Sequence, residues 1–170
     1  MQRVTDTELN DLAGAFPVAR QVLELASRVP VRTLATAESC TAGLLAAAIT
    51  SVSGSSLIFL GGVVAYANPV KVDWLAVPEP VLEAHGAVSQ EVAEAMALGV
   101  RARFGASLGI ATTGVAGPES SESKPAGLIY VALAGPAGVE VRQLDRNLGR
   151  HLNRVAAVEV ALEMTVAALK

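Results

Sequence analysis

The stretch TLATAESCTAG (Thr33–Gly43), with the alanine-rich run LLAAAIT (Leu44–Thr50) behind it, decides the fold. Its apolar start predicts a short buried strand over Thr33 to Ala37, and the Leu and Ala spacing after Gly43 predicts a buried helix. Ser39 falls at the junction, where the first N–H groups of a helix have no helical partner. These donors suit the oxyanion of an acyl-transfer reaction. The alternative is an ordinary helix-capping serine.

Two more strand ends carry residues suited to chemistry. The apolar segment from Leu57 to Ala65, with Gly61-Gly62 as a bulge or close approach, leads into YANPVK (Tyr66–Lys71). The apolar segment from Leu108 to Thr113 leads into the glycine-containing turn that follows. Ligands of open α/β sheets bind beyond the carboxyl ends of the strands. We therefore expect the three strand ends to form one site.

The other predicted elements complete an α/β chain. They are a helical region from Asp6 to Ser27 that restarts at Pro17, an amphipathic helix from Ser89 to Arg103, a hairpin formed by Gly127–Ala134 and Val139–Leu144, and a last helix from about Gly149 to Lys170. The last helix has an apolar stripe made of Val155, Val158, Leu162, Val166 and Leu169. This pattern predicts one domain over residues 1–170, a three-layer α/β/α sandwich with a mixed, mostly parallel sheet.

Composition argues against several classes of function. The net charge of −3 gives no basis for nucleic-acid binding, and the single cysteine, Cys40, excludes an intramolecular disulfide. The N-terminus lacks a signal-peptide layout. The uncharged stretch from Ser39 to Val70 is interrupted by Ser51–Ser56, which leaves apolar runs too short to cross a bilayer. We expect a cytoplasmic protein without membrane or nucleic-acid partners.

Lys71 is the predicted catalytic base. Asn68 followed by Pro69 is typical of a helix start, with Asn68 as the cap, and it places Lys71 in the first turn. The helix dipole favours the neutral amine there, and partial burial would act in the same direction; a neutral amine can take a proton from Ser39. Tyr66 could relay the proton or hold the amine by a hydrogen bond. The alternatives are a solvated lysine and a half-buried packing tyrosine.

Anion-binding residues are predicted on two other segments. Thr112, Thr113 and Gly114 offer hydroxyl and N–H groups that suit phosphate or carbonyl oxygens. The arginines Arg146, Arg150 and Arg154 cluster at the start of the last helix, where an anionic ligand would relieve their conflict with the dipole. Salt bridges to scattered acids are the alternative.

One further nucleophile stays open, because Cys40 could act with His85 or His151 as its base. The S-x-x-K match from Ser121 to Lys124 lies in a polar loop and lacks the β-lactamase context. No zinc-ligand spacing, Walker A or G-x-G-x-x-G motif occurs, so we expect neither a metal nor a cofactor.

The chain resembles the CinA C-terminal-domain family, the nicotinamide mononucleotide deamidases. The resemblance runs in order along nearly the whole chain from about Thr33. The matching segments are TAESCTAG (Thr36–Gly43), GGVVAYANPVK (Gly61–Lys71), HGAVSQEVAEAMA (His85–Ala97), ATTGVAGP (Ala111–Pro118), KPAGLIYVAL and the GR-x-x-x-R of the last helix.

The resemblance implies a three-layer α/β/α fold and a metal-free amidohydrolase. Such an enzyme converts nicotinamide mononucleotide to the acid, releases ammonia and serves NAD recycling. Ser39 matches the nucleophile, Lys71 the base and Tyr66 its partner. The implied substrate-binding residues are Cys40, Thr41, Gly43, Thr112, Thr113, Gly114 and, less securely, Arg150. The resemblance also implies a stand-alone form and favours a homodimer.

Two departures from the family pattern bear on activity. Ala42 stands where the family usually has a second glycine, and it would be strained if that position needs a positive φ. Glu119 and Glu122 lie in a stretch that is usually glycine-rich, and acids are unfavourable beside a phosphate. Two other functions therefore stay open: a catalytically silent nucleotide-binding module of a competence or damage-inducible protein, and an amidase for another phosphorylated carboxamide.

Overall fold

A five-stranded mixed sheet forms the centre of the part of the chain that the computed structural model describes, residues 11–28 and 30–170. Its strands are β1 (Leu34–Glu38), β2 (Phe59–Val64), β3 (Leu108–Gly114), β4 (Leu128–Gly135) and β5 (Gly138–Asp145). The spatial order is β2-β1-β3-β4-β5. β1 pairs in parallel with β2 and β3, whereas β4 pairs antiparallel with β3 and β5. Only β4 therefore runs against the others, and the predicted mixed, mostly parallel sheet is confirmed.

Helices cover both faces of the sheet. They are α1 (Asp11–Ala15), α2 (Val18–Ala26), α3 (Leu44–Thr50), α4 (Asn68–Leu75), α5 (Glu79–His85), α6 (Gln90–Phe104) and α7 (Arg150–Leu169), with a 3₁₀ turn at Ser55–Leu57. One buried cluster joins α2, α3 and α7 to the sheet, and a second joins α4 and α6 to the opposite face. None of the helices in the described part combines the length and apolar character needed to cross a bilayer.

The two faces of the sheet differ in side-chain size. Toward α7 the strands present large aliphatic residues such as Leu34, Ile110 and Ile129. Toward α6 they present mainly small ones: Ala35, Ala37, Gly109, Ala111, Ala132 and Ala134. A β-carbon on Gly109 would run into the carbonyl oxygen of Ala97. α6 therefore packs with its backbone close to the sheet.

Most predicted boundaries agree with the structure to within two residues. Ser89 caps α6 and accepts a hydrogen bond from the Val92 amide at 3.3 Å. The hairpin closes through the pair Gly135 and Gly138. The apolar stripe of the last helix is buried except for Val155, which is partly buried. The predicted helical residues before Asp11 lie outside the described part of the chain.

Several local predictions were wrong. The segment after Ser55 begins as a 3₁₀ turn, so β2 starts at Phe59 rather than Leu57. The residue that caps α4 is Ala67, and Asn68 is already helical. The extra residue in β2 is Leu60, because the pairing with β1 passes from Phe59 directly to Gly61. The predicted close approach at Gly61 and Gly62 is present, since a β-carbon there would clash with Phe104 and Thr36, respectively.

Candidate active site

A cleft of about 240 Å³ lies beyond the carboxyl ends of β1, β2 and β3. The strands are mutually parallel, so their ends meet at one edge of the sheet. Seven of the predicted site residues line the cleft: Ser39, Cys40, Tyr66, Lys71, Thr113, Gly114 and Arg150. The three strand ends therefore assemble one site, as the sequence predicts.

Glu38 organises the turn that carries Ser39. This side chain, which is only 1% exposed, accepts hydrogen bonds at Oε2 from the amides of Gly43 (2.9 Å) and Leu45 (3.0 Å). Its Oε1 accepts from the amide of Ala46 at 2.8 Å. All are donors at the start of α3, so the helix dipole acts on Glu38. The proposed oxyanion donors at this helix start are consequently occupied, and Ser39 lies before the helix rather than at its cap.

Two buried threonines extend the same network. The Thr41 hydroxyl donates to Glu38 Oε2 at 2.7 Å, and it lies 2.7 Å from the Thr112 hydroxyl. Because a hydroxyl has one proton, Thr112 donates in the second bond. Thr41 and Thr112 are fully buried, and neither they nor Gly43 line the cleft. The structure thus places these three predicted substrate-binding residues behind the wall of the site, where they hold the turn.

Thr113 lies in β3 as predicted, and the strand continues one residue further, so that Gly114 belongs to it and not to the turn. The Thr113 hydroxyl donates to the carbonyl oxygen of Ala87 at 2.6 Å. This bond joins the end of β3 to the segment before α6, and Ala87 and Val88 form part of the cleft wall. The Thr113 hydroxyl proton is therefore engaged in a hydrogen bond within the protein, although the residue borders the cleft.

The Ser39 turn offers different donors to a ligand. The Ser39 amide donates to the carbonyl oxygen of Thr112 at 2.9 Å, and the Ala42 amide donates to the Ser39 carbonyl oxygen at 3.2 Å. Within the described chain, no acceptor is found for the amides of Cys40 and Thr41. Ser39 is half-buried and borders the cleft. Of these two residues, Cys40 lines the cleft and Thr41 does not, so the Cys40 amide is the available oxyanion donor beside the Ser39 hydroxyl.

Lys71 is the buried amine of the site. Its side chain is 1% exposed, and Nζ donates to the carbonyl oxygens of Ala65 (2.9 Å) and Tyr66 (3.2 Å). Burial lowers the pKa of this amine from its ordinary 10.5, and the carboxylate of Glu122 acts in the opposite direction. A neutral amine has two N–H donors and one lone pair. The two carbonyl groups match those donors, which leaves the lone pair for the cleft.

Tyr66 does not hold Lys71 in the predicted way. Its side chain is 59% exposed, and the group that accepts from Lys71 is the backbone carbonyl. Within the described chain, the phenol makes no hydrogen bond to that amine. The phenol nevertheless borders the cleft. A contact with a ligand is therefore open to Tyr66, whereas orientation of the amine comes from the backbone.

Cys40 has the environment of an unreactive thiol. Burial raises the pKa of its thiol to about 12, and the negative charge of Glu38 adds to the effect. Neither His85 nor His151 lines the cleft. Instead, His85 Nδ1 lies 3.4 Å from Glu91 Oε1. The geometry therefore favours Ser39 over Cys40 as nucleophile.

Arg150 is the arginine of the predicted cluster that borders the cleft. Its Nη1 donates to the carbonyl oxygen of Gly117 at 2.9 Å, which fixes the guanidinium at this wall. Arg154 donates to the carbonyl oxygen of Thr41 at 2.7 Å, so it stabilises the Ser39 turn and does not line the cleft. Arg146 is exposed away from the cleft. Of the three, Arg150 is placed to meet an anionic ligand.

The loop that carries Glu119 and Glu122 also borders the cleft. Glu119, Ser121 and Glu122 line it, and Ser121 forms a small turn with Lys124 through backbone hydrogen bonds of 3.1 and 2.8 Å. Lys124 Nζ donates to the carbonyl oxygens of His85 and Val88, which ties the loop to the cleft wall. Within residues 11–28 and 30–170, His, Cys, Asp and Glu side chains form no group able to hold a metal ion.

These features define a class: an α/β protein with a serine hydroxyl and a buried amine in a cleft at the carboxyl edge of its sheet. The model of the CinA C-terminal domain matches residues 17–169. The chain therefore belongs to the CinA C-terminal domain family.

Curated relatives and solved structures support the same family. A CinA-like protein of Synechococcus sp. (strain RCC307) is 53% identical over 137 residues, 78% of this chain and 33% of that protein. One from Frankia casuarinae is 51% identical over 132 residues, 78% of this chain and 30% of that protein. The chain thus spans about a third of the length of these curated relatives.

Competence/damage inducible protein CihA from Agrobacterium tumefaciens superposes with a TM-score of 0.82 at 35% identity, over 100% of both chains. A CinA superfamily protein from Klebsiella pneumoniae gives a TM-score of 0.82 at 30% identity, over 95% of this chain and 97% of that one. The predicted family and fold are therefore confirmed.

Proposed function

We propose that the chain is a metal-free amidohydrolase that converts nicotinamide mononucleotide to nicotinate mononucleotide and ammonia. Family membership supports the class of substrate, and the geometry of Lys71 carries the proposal. A buried amine with two carbonyl acceptors and a lowered pKa, lining the same cleft as Ser39, is suited to act as a base for its hydroxyl.

In the first step, the Ser39 hydroxyl attacks the carboxamide carbon while Lys71 takes the hydroxyl proton. The oxyanion of the tetrahedral intermediate accepts a hydrogen bond from the amide of Cys40. Lys71 then returns the proton to the leaving nitrogen, the C–N bond breaks, and ammonia departs. A water molecule attacks the acyl-enzyme, again with Lys71 as base, and releases the acid and free Ser39.

Arg150 is the proposed phosphate ligand. Its guanidinium borders the cleft and is anchored by only one of its nitrogen atoms to Gly117. The remaining donors suit phosphate oxygens. Tyr66, which is exposed at the same cleft, is proposed to pack against the substrate rather than to relay a proton.

Ammonia release from nicotinamide mononucleotide tests the proposal. Ser39→Ala and Lys71→Met should each reduce kcat by about a thousandfold or more, as removal of a nucleophile or base does. Cys40→Ala, one residue away, is the matched control and should keep most of the activity. Activity should survive treatment with a chelator. A Ser39→Ala protein with the wild-type rate would show that the mechanism is wrong.

A nucleotide-binding module without turnover is the second candidate. The observation in its favour is the diversion of the α3 amides to Glu38, which leaves few donors for an oxyanion. Calorimetric binding of the mononucleotide, without any ammonia released by the wild-type protein, would support this candidate. Release of ammonia from a different phosphorylated carboxamide in a substrate panel would instead indicate a related amidase.

A further inference from the structure

The cleft carries opposite charges on different walls. Glu122 belongs to the wall formed by Ala87 and Val88, since a β-carbon at the adjacent Gly86 would meet its Oε2 at 2.9 Å. Glu122 therefore borders the same cleft as Ser39 and Lys71.

Arg150 belongs to the wall formed by Gly117, to which it is hydrogen bonded. In the described part of the chain it forms no ion pair with Glu119 or Glu122, although all three border the same cleft. The guanidinium and the carboxylates thus do not neutralise each other. A ligand with separated charges can meet both.

Nicotinamide mononucleotide is such a ligand. Its oxidised ring is a pyridinium cation that bears the reacting carboxamide, and its phosphate lies beyond the ribose. We propose that Glu122 is a specificity-determining residue that selects the cationic, oxidised pyridine ring over the neutral, reduced ring. This inference rests on the proposed function, because it assumes that the carboxamide meets Ser39 while the phosphate meets Arg150.

Two neighbouring cations have to be considered. Burial lowers the pKa of Lys71, which reduces the positive charge that this amine sets against Glu122. A β-carbon at Gly86 would also lie 3.6 Å from Lys124 Nζ. This ammonium group donates to the carbonyl oxygens of His85 and Val88. It forms no ion pair with Glu122 within the described residues. The nearby ammonium group weakens the attraction of Glu122 for a cationic ring without pairing with the carboxylate, so the expected effect is the small one of an exposed charge.

Binding to the Ser39→Ala protein tests the proposal without turnover. Titration calorimetry would compare oxidised nicotinamide mononucleotide with its 1,4-dihydro form, which has the same phosphate and a neutral ring. We expect the oxidised form to bind about three- to fivefold more tightly, as for an exposed ion pair. The preference should decrease as salt is added. Glu122→Gln, added to Ser39→Ala, should weaken binding of the oxidised form alone.

Glu119→Gln is the matched control, because it removes another cleft-lining carboxylate of the same loop, one that makes no contact with Gly86. It should leave the preference for the oxidised ring intact. Equal binding of both forms, no binding of either, or a preference that survives Glu122→Gln would overturn the proposal. An equal loss for both forms in Glu122→Gln would overturn it as well. Failure of the proposed function is separate, since it is seen as absence of ammonia release by the wild-type protein.

Discussion

Glu38→Gln is the substitution that most directly tests how the site is built. The carboxylate accepts four hydrogen bonds, from the amides of Gly43, Leu45 and Ala46 and from the Thr41 hydroxyl. The glutamine amide has one acceptor oxygen, and its NH₂ group must face a donor at the other position. At least one charge-assisted bond is lost, at about 1.5–3 kcal/mol, and the remaining bonds become neutral and weaker. We expect a loss of about 3 kcal/mol in the free energy of unfolding.

Urea unfolding followed by circular dichroism would measure this loss. For an m-value of about 2 kcal/mol per molar, the midpoint should fall by about 1.5 M urea. Glu163→Gln is the matched control, because it makes the same chemical change on the exposed side of α7. It should change stability by less than about 0.5 kcal/mol. A midpoint for Glu38→Gln equal to that of the control would refute the role of Glu38 as organiser of the turn.

Catalysis gives a second readout of the same substitution. If Glu38 fixes the Ser39 turn, kcat should fall in the folded Glu38→Gln protein while KM changes little, because the carboxylate does not line the cleft. The measurement requires a temperature well below the unfolding transition. An unchanged kcat, together with reduced stability, would show that the turn keeps its catalytic geometry without the carboxylate.

Three more outcomes are expected. Ala42→Gly should stabilise the protein by up to about 1 kcal/mol in urea unfolding, because Ala42 has a φ of 50° and left-handed backbone is costly for alanine; Ala48→Gly inside α3 should instead destabilise it by at least about 1 kcal/mol. Iodoacetamide should label Cys40 slowly in the folded protein at about pH 8 and rapidly in urea, because burial raises the pKa of the thiol to about 12. Activity should rise with pH as Lys71 loses its proton, with a midpoint below the ordinary lysine pKa of 10.5. Glu122→Gln should shift that midpoint to lower pH, because the Glu122 carboxylate raises the pKa of the amine. A pH–rate profile without this shift would contradict the interaction between Glu122 and Lys71.

The sequence predicts most of the fold because its elements carry local signals. The capping serine of α6, the Gly-Pro-Ala-Gly hairpin and the long apolar stripe of α7 each depend on residues close together in the chain. α5 (Glu79–His85) was not foreseen, since it is short and none of its residues is fully buried. The start of β2 was misplaced because a 3₁₀ turn and a strand share the same apolar composition at Leu57 and Ile58.

The sequence could predict which strand ends form the site, but not how the side chains behind it are arranged. Ser39 and Lys71 could be found because motif and position coincide in the sequence. The positions of Thr41, Gly43 and Thr112 behind the cleft could not be predicted. They depend on the direction in which the Glu38 carboxylate points after the turn has formed. One signal was present: Glu38 is a charged residue at the end of an otherwise uncharged strand, and such a buried charge requires partners.

The arrangement around Glu38 changes how the helix dipole serves this site. In the simplest reading of a strand–turn–helix motif, the first amides of the helix stabilise the substrate directly. Here they bind a buried carboxylate of the protein, so the dipole helps to fold the turn before any substrate arrives. Charges at the cleft then come from side chains on other segments, namely Glu122 and Arg150. Under the proposed function, substitutions in the loop that carries Glu122 should change substrate choice without disturbing the turn that carries Ser39.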